Sequence, residues 1–289
     1  MARVVAVHGI LNTYSGERSM AASWVPALLD GIGLAGGDGT VAEDDIGCVF
    51  YGDVFRHPGR LLGATEAELL DADDIDDPAD AALLDAWWAE AARTDRSVPP
   101  TDERMLGLLK GAQAALAALA CSRFLAGATE RLLILWLKQV RQYFTDSDRR
   151  AAIQDRFARQ IRADTEVVVA HSLGSVVAYE ALCAHPEWNV RGLVTLGSPL
   201  AVRNLILDRL TPAPEREGDS WRCRWPGGVK SWTNIADRAD FVALVKVLGN
   251  VFGAEVTDVE IDNGVQVHAV TRYLTARSTG EAILAALRG

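Results

Sequence analysis

The chain has 289 residues, 49% hydrophobic and 24% charged, with a formal net charge of −10. That length admits one large domain or two small ones, and the apolar fraction suffices for a substantial core. The acidic balance argues against nucleic acid, which is bound through clustered Lys and Arg, and disfavours electrostatic docking on anionic lipid.

The first apolar run, Val4–Val7, is too short for a signal-peptide core and reads as a strand, so a cytoplasmic protein is expected. A helical pattern over 19–32 and a strand over 46–50 follow. Residues 56–148 then break the rhythm, with helical pattern and an acidic loop but no strand. Leu84, Trp87, Trp88 and Ala91 share one helical face. Met105, Leu108, Leu109, Ala112, Leu116 and Leu119 share a second, and Leu133, Trp136, Leu137, Val140 and Phe144 a third. This insertion reads as a helical cap over the carboxyl edge of a sheet. Its longest uncharged run, 111–122, falls short of the roughly 20 apolar residues of a membrane span. The apolar 132–137 segment reads as core. The competing reading has Leu133 and Trp136 meeting lipid when the cap opens.

The run Asp71, Asp73, Asp74, Asp76, Asp77 and Asp80 fails as a calcium loop, because Ile75 takes a ligand position and Asp76 the glycine position. A solvated loop is expected instead. Beyond the insertion come a helix over 149–162, a strand over 166–170 and a helix over 175–184. Strands over Gly192–Leu196, 231–235 and Val256–Ile261 follow, then a helix over 279–288. Short apolar runs alternating with amphipathic helices predict an α/β protein, a mostly parallel central sheet flanked by helices. Residues 1–289 then form a single domain with 56–148 inserted. Cys48, Cys121, Cys183 and Cys223 form no CxxC pair, so no zinc or dithiol role is expected, and buried reduced thiols are.

The informative segment is Val167-Val168-Val169-Ala170-His171-Ser172-Leu173-Gly174. A strand running through a tight turn into a helix projects the central serine above the sheet as a nucleophile. The turn needs small residues two before and two after the serine, which Ala170 and Gly174 supply. The alternative is a serine that merely caps the helix. A nucleophile there has the Leu173 N–H beside it as an oxyanion donor, at the positive end of the helix. The loop after the first strand, His8-Gly9-Ile10, offers the Ile10 N–H as a second donor.

In a nucleophile elbow of this kind the acid and then the base follow the serine along the chain. His8, His57 and His171 precede Ser172. His185 comes before any strand able to carry the acid, which leaves His268 as the general base. Asp237 and Asp240 both qualify as the acid, and Asp240 is preferred because Phe241-Val242 returns at once to apolar sequence. An imidazole base implies turnover that falls below about pH 6.5.

Taken together, His8-Gly9-Ile10, Ala170-His171-Ser172-Leu173-Gly174 and Thr195-Leu196-Gly197-Ser198-Pro199 resemble the lipase/esterase branch of the α/β-hydrolase fold. Trp232-Thr233-Asn234, Asp240-Phe241-Val242 and His268 through Tyr273-Leu274 resemble the acid and base segments of lipases related to inositol deacylases. The resemblance covers the sheet-forming parts of the chain and not 56–148. It implies a cofactor-free serine hydrolase acting on a small acyl substrate, lipid included, with a carboxylic ester as the expected bond. An amidase, peptidase or thioesterase would use the same triad. A catalytically silent binding or effector domain would keep only the fold.

Overall fold

A six-stranded sheet organises the chain in the computed structural model, which describes residues 2–10, 12–13, 15–56, 72–75, 77–100, 108–120, 130–218 and 220–289. Its strands are β1 (Val4–Val7), β2 (Ile46–Val49), β3 (Val167–His171), β4 (Gly192–Leu196), β7 (Ser231–Asp237) and β8 (Val256–Ile261), in the order β2-β1-β3-β4-β7-β8. Every pairing in it is parallel. The central strands β1, β3 and β4 are buried along their whole length. A parallel sheet covered on both faces demands such runs, because neither side of the strand meets water.

Alternate residues serve opposite faces. Val4, Ala6, Val167 and Val169 pack with α1 (Glu17–Leu34) and α9 (Arg277–Arg288), through residues such as Trp24, Leu28 and Ile283. Val5, Val7, Val168 and Ala170 join the other core. That second core is built on α5 (Ser147–Gln160) and α6 (Leu173–Ala184), through Phe157 and Val177 among others. It also takes in three helices of the 56–148 stretch: α2 (Pro78–Thr94), α3 (Leu108–Ala120) and α4 (Glu130–Thr145). Short helices α7 (Gly249–Phe252) and α8 (Val270–Leu274) precede and follow β8.

Leu133 and Trp136 are buried at 3% and 2% exposure, as the core reading of this segment expects. The acidic run is not one solvated loop. Asp77 caps α2 by accepting the Ala79 N–H. Asp80 is fully buried, with Arg141 Nε 2.6 Å and Lys138 Nζ 3.5 Å from its carboxylate. Two cations from α4 pair with a carboxylate of α2, which offsets the cost of burying that charge. Asp71, Asp76, Met105, His57 and Cys121 lie outside the described residues. Cys48, Cys183 and Cys223 are buried free thiols. A small antiparallel pair, β5 (Glu215–Glu217) with β6 (Ser220–Arg222), was not expected. No helix among the described residues is long and apolar enough to cross a membrane.

Candidate active site

The strand order creates the place where a site can form. The chain leaves β1 toward β2 on one side, and leaves β3 toward β4 on the other, although β1 and β3 are neighbours. Where connections diverge in this way, a crevice opens at the carboxyl ends of the two strands. Gly9 and Ile10 follow β1 at that end, Ser172 follows β3, and Gly197 follows β4. Asp240 follows β7, and His268 lies beyond β8.

Ser172 turns from strand to helix at φ 53°, ψ −128°, a left-handed conformation that costs a non-glycine residue about 1–3 kcal/mol. Its N–H donates to the Leu196 carbonyl at 2.9 Å, and its own carbonyl accepts from Ser175 Oγ at 2.6 Å. The side chain makes no capping bond, which removes the helix-cap reading of this serine. Its hydroxyl is buried and has no hydrogen-bond partner among the described residues. Leu173 is the first residue of α6, where the helix itself offers its N–H no acceptor.

The neighbours of the serine explain the small residues. A Cβ on Gly174 would strike the carbonyl oxygens of His8 and Val7, so the helix could not lie so close to β1. A Cβ on Gly9 would sit 2.6 Å from Ser172 Cβ and 3.1 Å from Ser172 Oγ. The loop leading to Ile10 is thus packed directly on the serine. His8 holds that loop. Its Nε2 accepts the Tyr51 N–H at 3.0 Å, which places the ring proton on Nδ1, where it bonds the Gly9 carbonyl. Burial pushes the His8 imidazole down to about 4, so it stays neutral and keeps that tautomer.

At the other side of the crevice, His268 Nδ1 donates to Asp240 Oδ2 at 2.7 Å. Asp240 is fully buried. Its Oδ1 accepts the N–H groups of Val242 at 2.8 Å and Ala243 at 3.3 Å. Its Oδ2 also accepts from the Tyr273 hydroxyl at 2.6 Å. Burial alone would raise this carboxyl, but the nearby His268 and Lys246 charges and these bonds hold it well below the usual carboxylate range. Asp237, the alternative acid, does different work. It accepts the N–H groups of Ala239 and Asn263, which fastens the loop leading to His268 onto the end of β7.

The two sides approach each other at two points. The His171 and His268 ring centroids are 4.6 Å apart. Gly197, at φ 53°, leaves no room for a side chain, because a Cβ there would lie 2.7 Å from Asp240 Oδ2 and 3.1 Å from His268 Nδ1. Its chain neighbour Leu196 is the residue that receives the Ser172 N–H. Asp240 and His268 are therefore bonded, while Ser172 Oγ is bonded neither to His268 nor to any other described group.

Sequence reasoning did not assign Gly197, Tyr273 or Lys246, whose ammonium donates to the Asp240 main-chain carbonyl at 2.6 Å. Only the glycine had a legible signal, a Gly directly after an apolar strand. A cavity of about 550 Å³ borders Asp240 and is also lined by Lys246 and by Thr94 of the inserted helix α2. Among the described residues no cluster of His, Cys, Asp and Glu could hold a metal ion. Compared with known proteins, the chain matches no family model, no curated protein and no solved structure.

Proposed function

We propose that the chain is a serine hydrolase of the α/β-hydrolase type that cleaves a carboxylic ester through an acyl-enzyme on Ser172. The observation that carries this reading is a strained, uncapped serine at the end of β3, with a buried Asp240 bonded to a half-buried His268 in the loops that follow β7 and β8. Strain of this kind persists only where the surroundings enforce it, and it is concentrated at functional sites.

In this reading His268, with Nδ1–H committed to Asp240, offers Nε2 as the base. As the substrate carbonyl enters, the Ser172 hydroxyl turns to that nitrogen, a contact that tightens only in the substrate complex. Ser172 Oγ bonds to the carbonyl carbon while its proton passes to His268. The carbonyl π electrons move to oxygen, and the N–H groups of Ile10 and Leu173 stabilise the resulting oxyanion. Collapse breaks the ester C–O bond, and the imidazolium returns the proton to the departing alcohol. Water then repeats the sequence and frees the acid. Asp240 stays ionised throughout and stabilises the imidazolium. In this reading the helices of the insertion act as a cap, and Thr94 of α2 faces Asp240 across a cavity that neither Ser172 nor His268 lines. Trp87 adds a second tie, its Nε1–H donating to the Phe241 carbonyl at 3.2 Å.

The test is hydrolysis of a p-nitrophenyl ester series from acetate to long acyl chains. Wild type is expected to turn over at least one chain length, and Ser172→Ala to lose about a million-fold in kcat while folding normally. Equal turnover in the two proteins would remove Ser172 from the chemistry.

A further inference from the structure

Tyr273 is fully buried on α8, five residues beyond His268, and its hydroxyl is used twice. It donates to Asp240 Oδ2 at 2.6 Å and accepts the Asp237 N–H at 2.8 Å. Oδ2 is the same oxygen that receives His268 Nδ1. The backbone that carries the phenol is held as well. Thr279 Oγ1 donates to the Tyr273 carbonyl at 2.6 Å, and Gly31 of α1 packs so closely on the Leu274 carbonyl that a Cβ there would collide with it.

We propose that Tyr273 is a positioning residue of the hydrolase site, a strut from the end of β7 that orients the Asp240 carboxylate and sets how strongly it holds His268. The inference rests on the serine-hydrolase reading for its kinetic consequences, and on hydrogen bonds alone for its spectroscopic ones. A carboxylate with only the Val242 and Ala243 amides on Oδ1 could still swing about χ2. The second donor on Oδ2 stops that swing. It also withdraws charge from the oxygen, so the imidazolium formed in catalysis is held less tightly than a lone Asp–His pair would hold it. Burial and the Asp240 charge push the Tyr273 phenol well above its ordinary value, so it remains a donor at any working pH.

Other charged and titratable groups face this corner. Lys246 bonds the Asp240 main-chain carbonyl, Asp237 is occupied by the Ala239 and Asn263 amides, and the His171 ring lies against His268. None of the three hydrogen-bonds Oδ2. Tyr179 provides the control. It is equally buried, and its hydroxyl donates to the Arg224 carbonyl at 2.9 Å, away from Asp240.

The experiment compares wild type, Tyr273→Phe and Tyr179→Phe by two readouts. One is the rate of fluorophosphonate labelling of Ser172 across pH. The other is the low-field proton resonance of His268 Nδ1–H. Tyr273→Phe is expected to slow labelling about tenfold, to move the acid limb of the profile to higher pH, and to shift the resonance further downfield. Tyr179→Phe should leave both readouts at wild-type values. A folded Tyr273→Phe with the wild-type profile and resonance overturns the proposal. If that variant does not fold, 3-fluorotyrosine incorporated in place of Tyr273 donates more strongly, and the resonance should move upfield. An unmoved resonance then overturns the proposal. A wild type that never labels, but whose resonance responds to Tyr273, defeats the hydrolase reading and leaves the strut intact.

Discussion

The corner that holds Asp240 and His268 and the corner that holds Ser172 are built on opposite principles. Around Asp240 every oxygen is occupied: Val242 and Ala243 on Oδ1, His268 and Tyr273 on Oδ2, Lys246 on the main-chain carbonyl. Around Ser172 the position is set by backbone and contact. A left-handed φ, a strand-to-helix bend and the close approach of Gly9 hold it, while its hydroxyl and His171 Nε2 are buried without partners among the described residues. Unpaired buried polar atoms cost about 1–3 kcal/mol each. The difference fits the proposed chemistry: hydrogen bonds hold the carboxylate in place, while backbone and steric contact hold a serine whose hydroxyl is left free to react.

The comparison is broken most severely at the bonded corner. Asp240→Asn keeps the shape but replaces an acceptor with an amide, so the imidazole is no longer held in the tautomer that leaves Nε2 as the base. Turnover of the best p-nitrophenyl ester should fall about 10⁴-fold. A loss under tenfold would mean that Asp237 or water replaces Asp240, contrary to the site described.

The serine side is probed next through His8, whose folded value of about 4 lies below the unfolded one near 6.5. The unfolded chain therefore binds the extra proton more readily. Stability is fully present above about pH 6.5 and is lost as pH falls toward 4, by about 3 kcal/mol from this group. His171, pushed well below its ordinary value by burial and by the adjacent His268, adds loss with the same sign. Urea unfolding at pH 7.5 and pH 4.5 should show the loss, and His8→Gln should shrink it. An unchanged pH slope in that variant would show that the loop to Ile10 is not held by a neutral imidazole.

A finer test is Gly9→Ala. The added methyl falls against Ser172 and must displace either the serine or the loop carrying Ile10. Ester turnover should fall about 100-fold, comparable to losing one oxyanion donor, and the urea midpoint should drop with the overpacking, by about 1–3 kcal/mol in stability. Full activity would mean that Ile10 gives nothing to the reaction.

Much of this was legible in the chain because the buried parallel strands are continuous apolar runs. Val167 to Ala170 could hardly be anything else, and the small residues around Ser172 marked the bend. The helical pattern begins at Ser175 whereas α6 begins at Leu173, because the bend lets the helix start directly after the serine. The β5–β6 pair was illegible: Glu215-Arg216-Glu217 is exposed throughout and has no apolar face to alternate. Asp237 and Asp240 looked alike in sequence because both follow the same strand. Only the register of the turn shows that one receives loop amides and the other an imidazole. Tyr273 was hidden for a similar reason, since nothing in a Tyr-Leu pair reveals which oxygen its hydroxyl meets. The burial of Asp80 is not legible either, because a charge run gives no sign that Lys138 and Arg141 come to cover one of its members.

The most direct measurement is reaction of the purified protein with a fluorophosphonate, followed by intact-mass analysis and peptide mapping. A serine hydrolase with this geometry takes one phosphonyl group, on Ser172, and Ser172→Ala takes none. An unmodified wild type, or an adduct on another residue that persists in Ser172→Ala, would contradict the assignment of the elbow serine as the nucleophile.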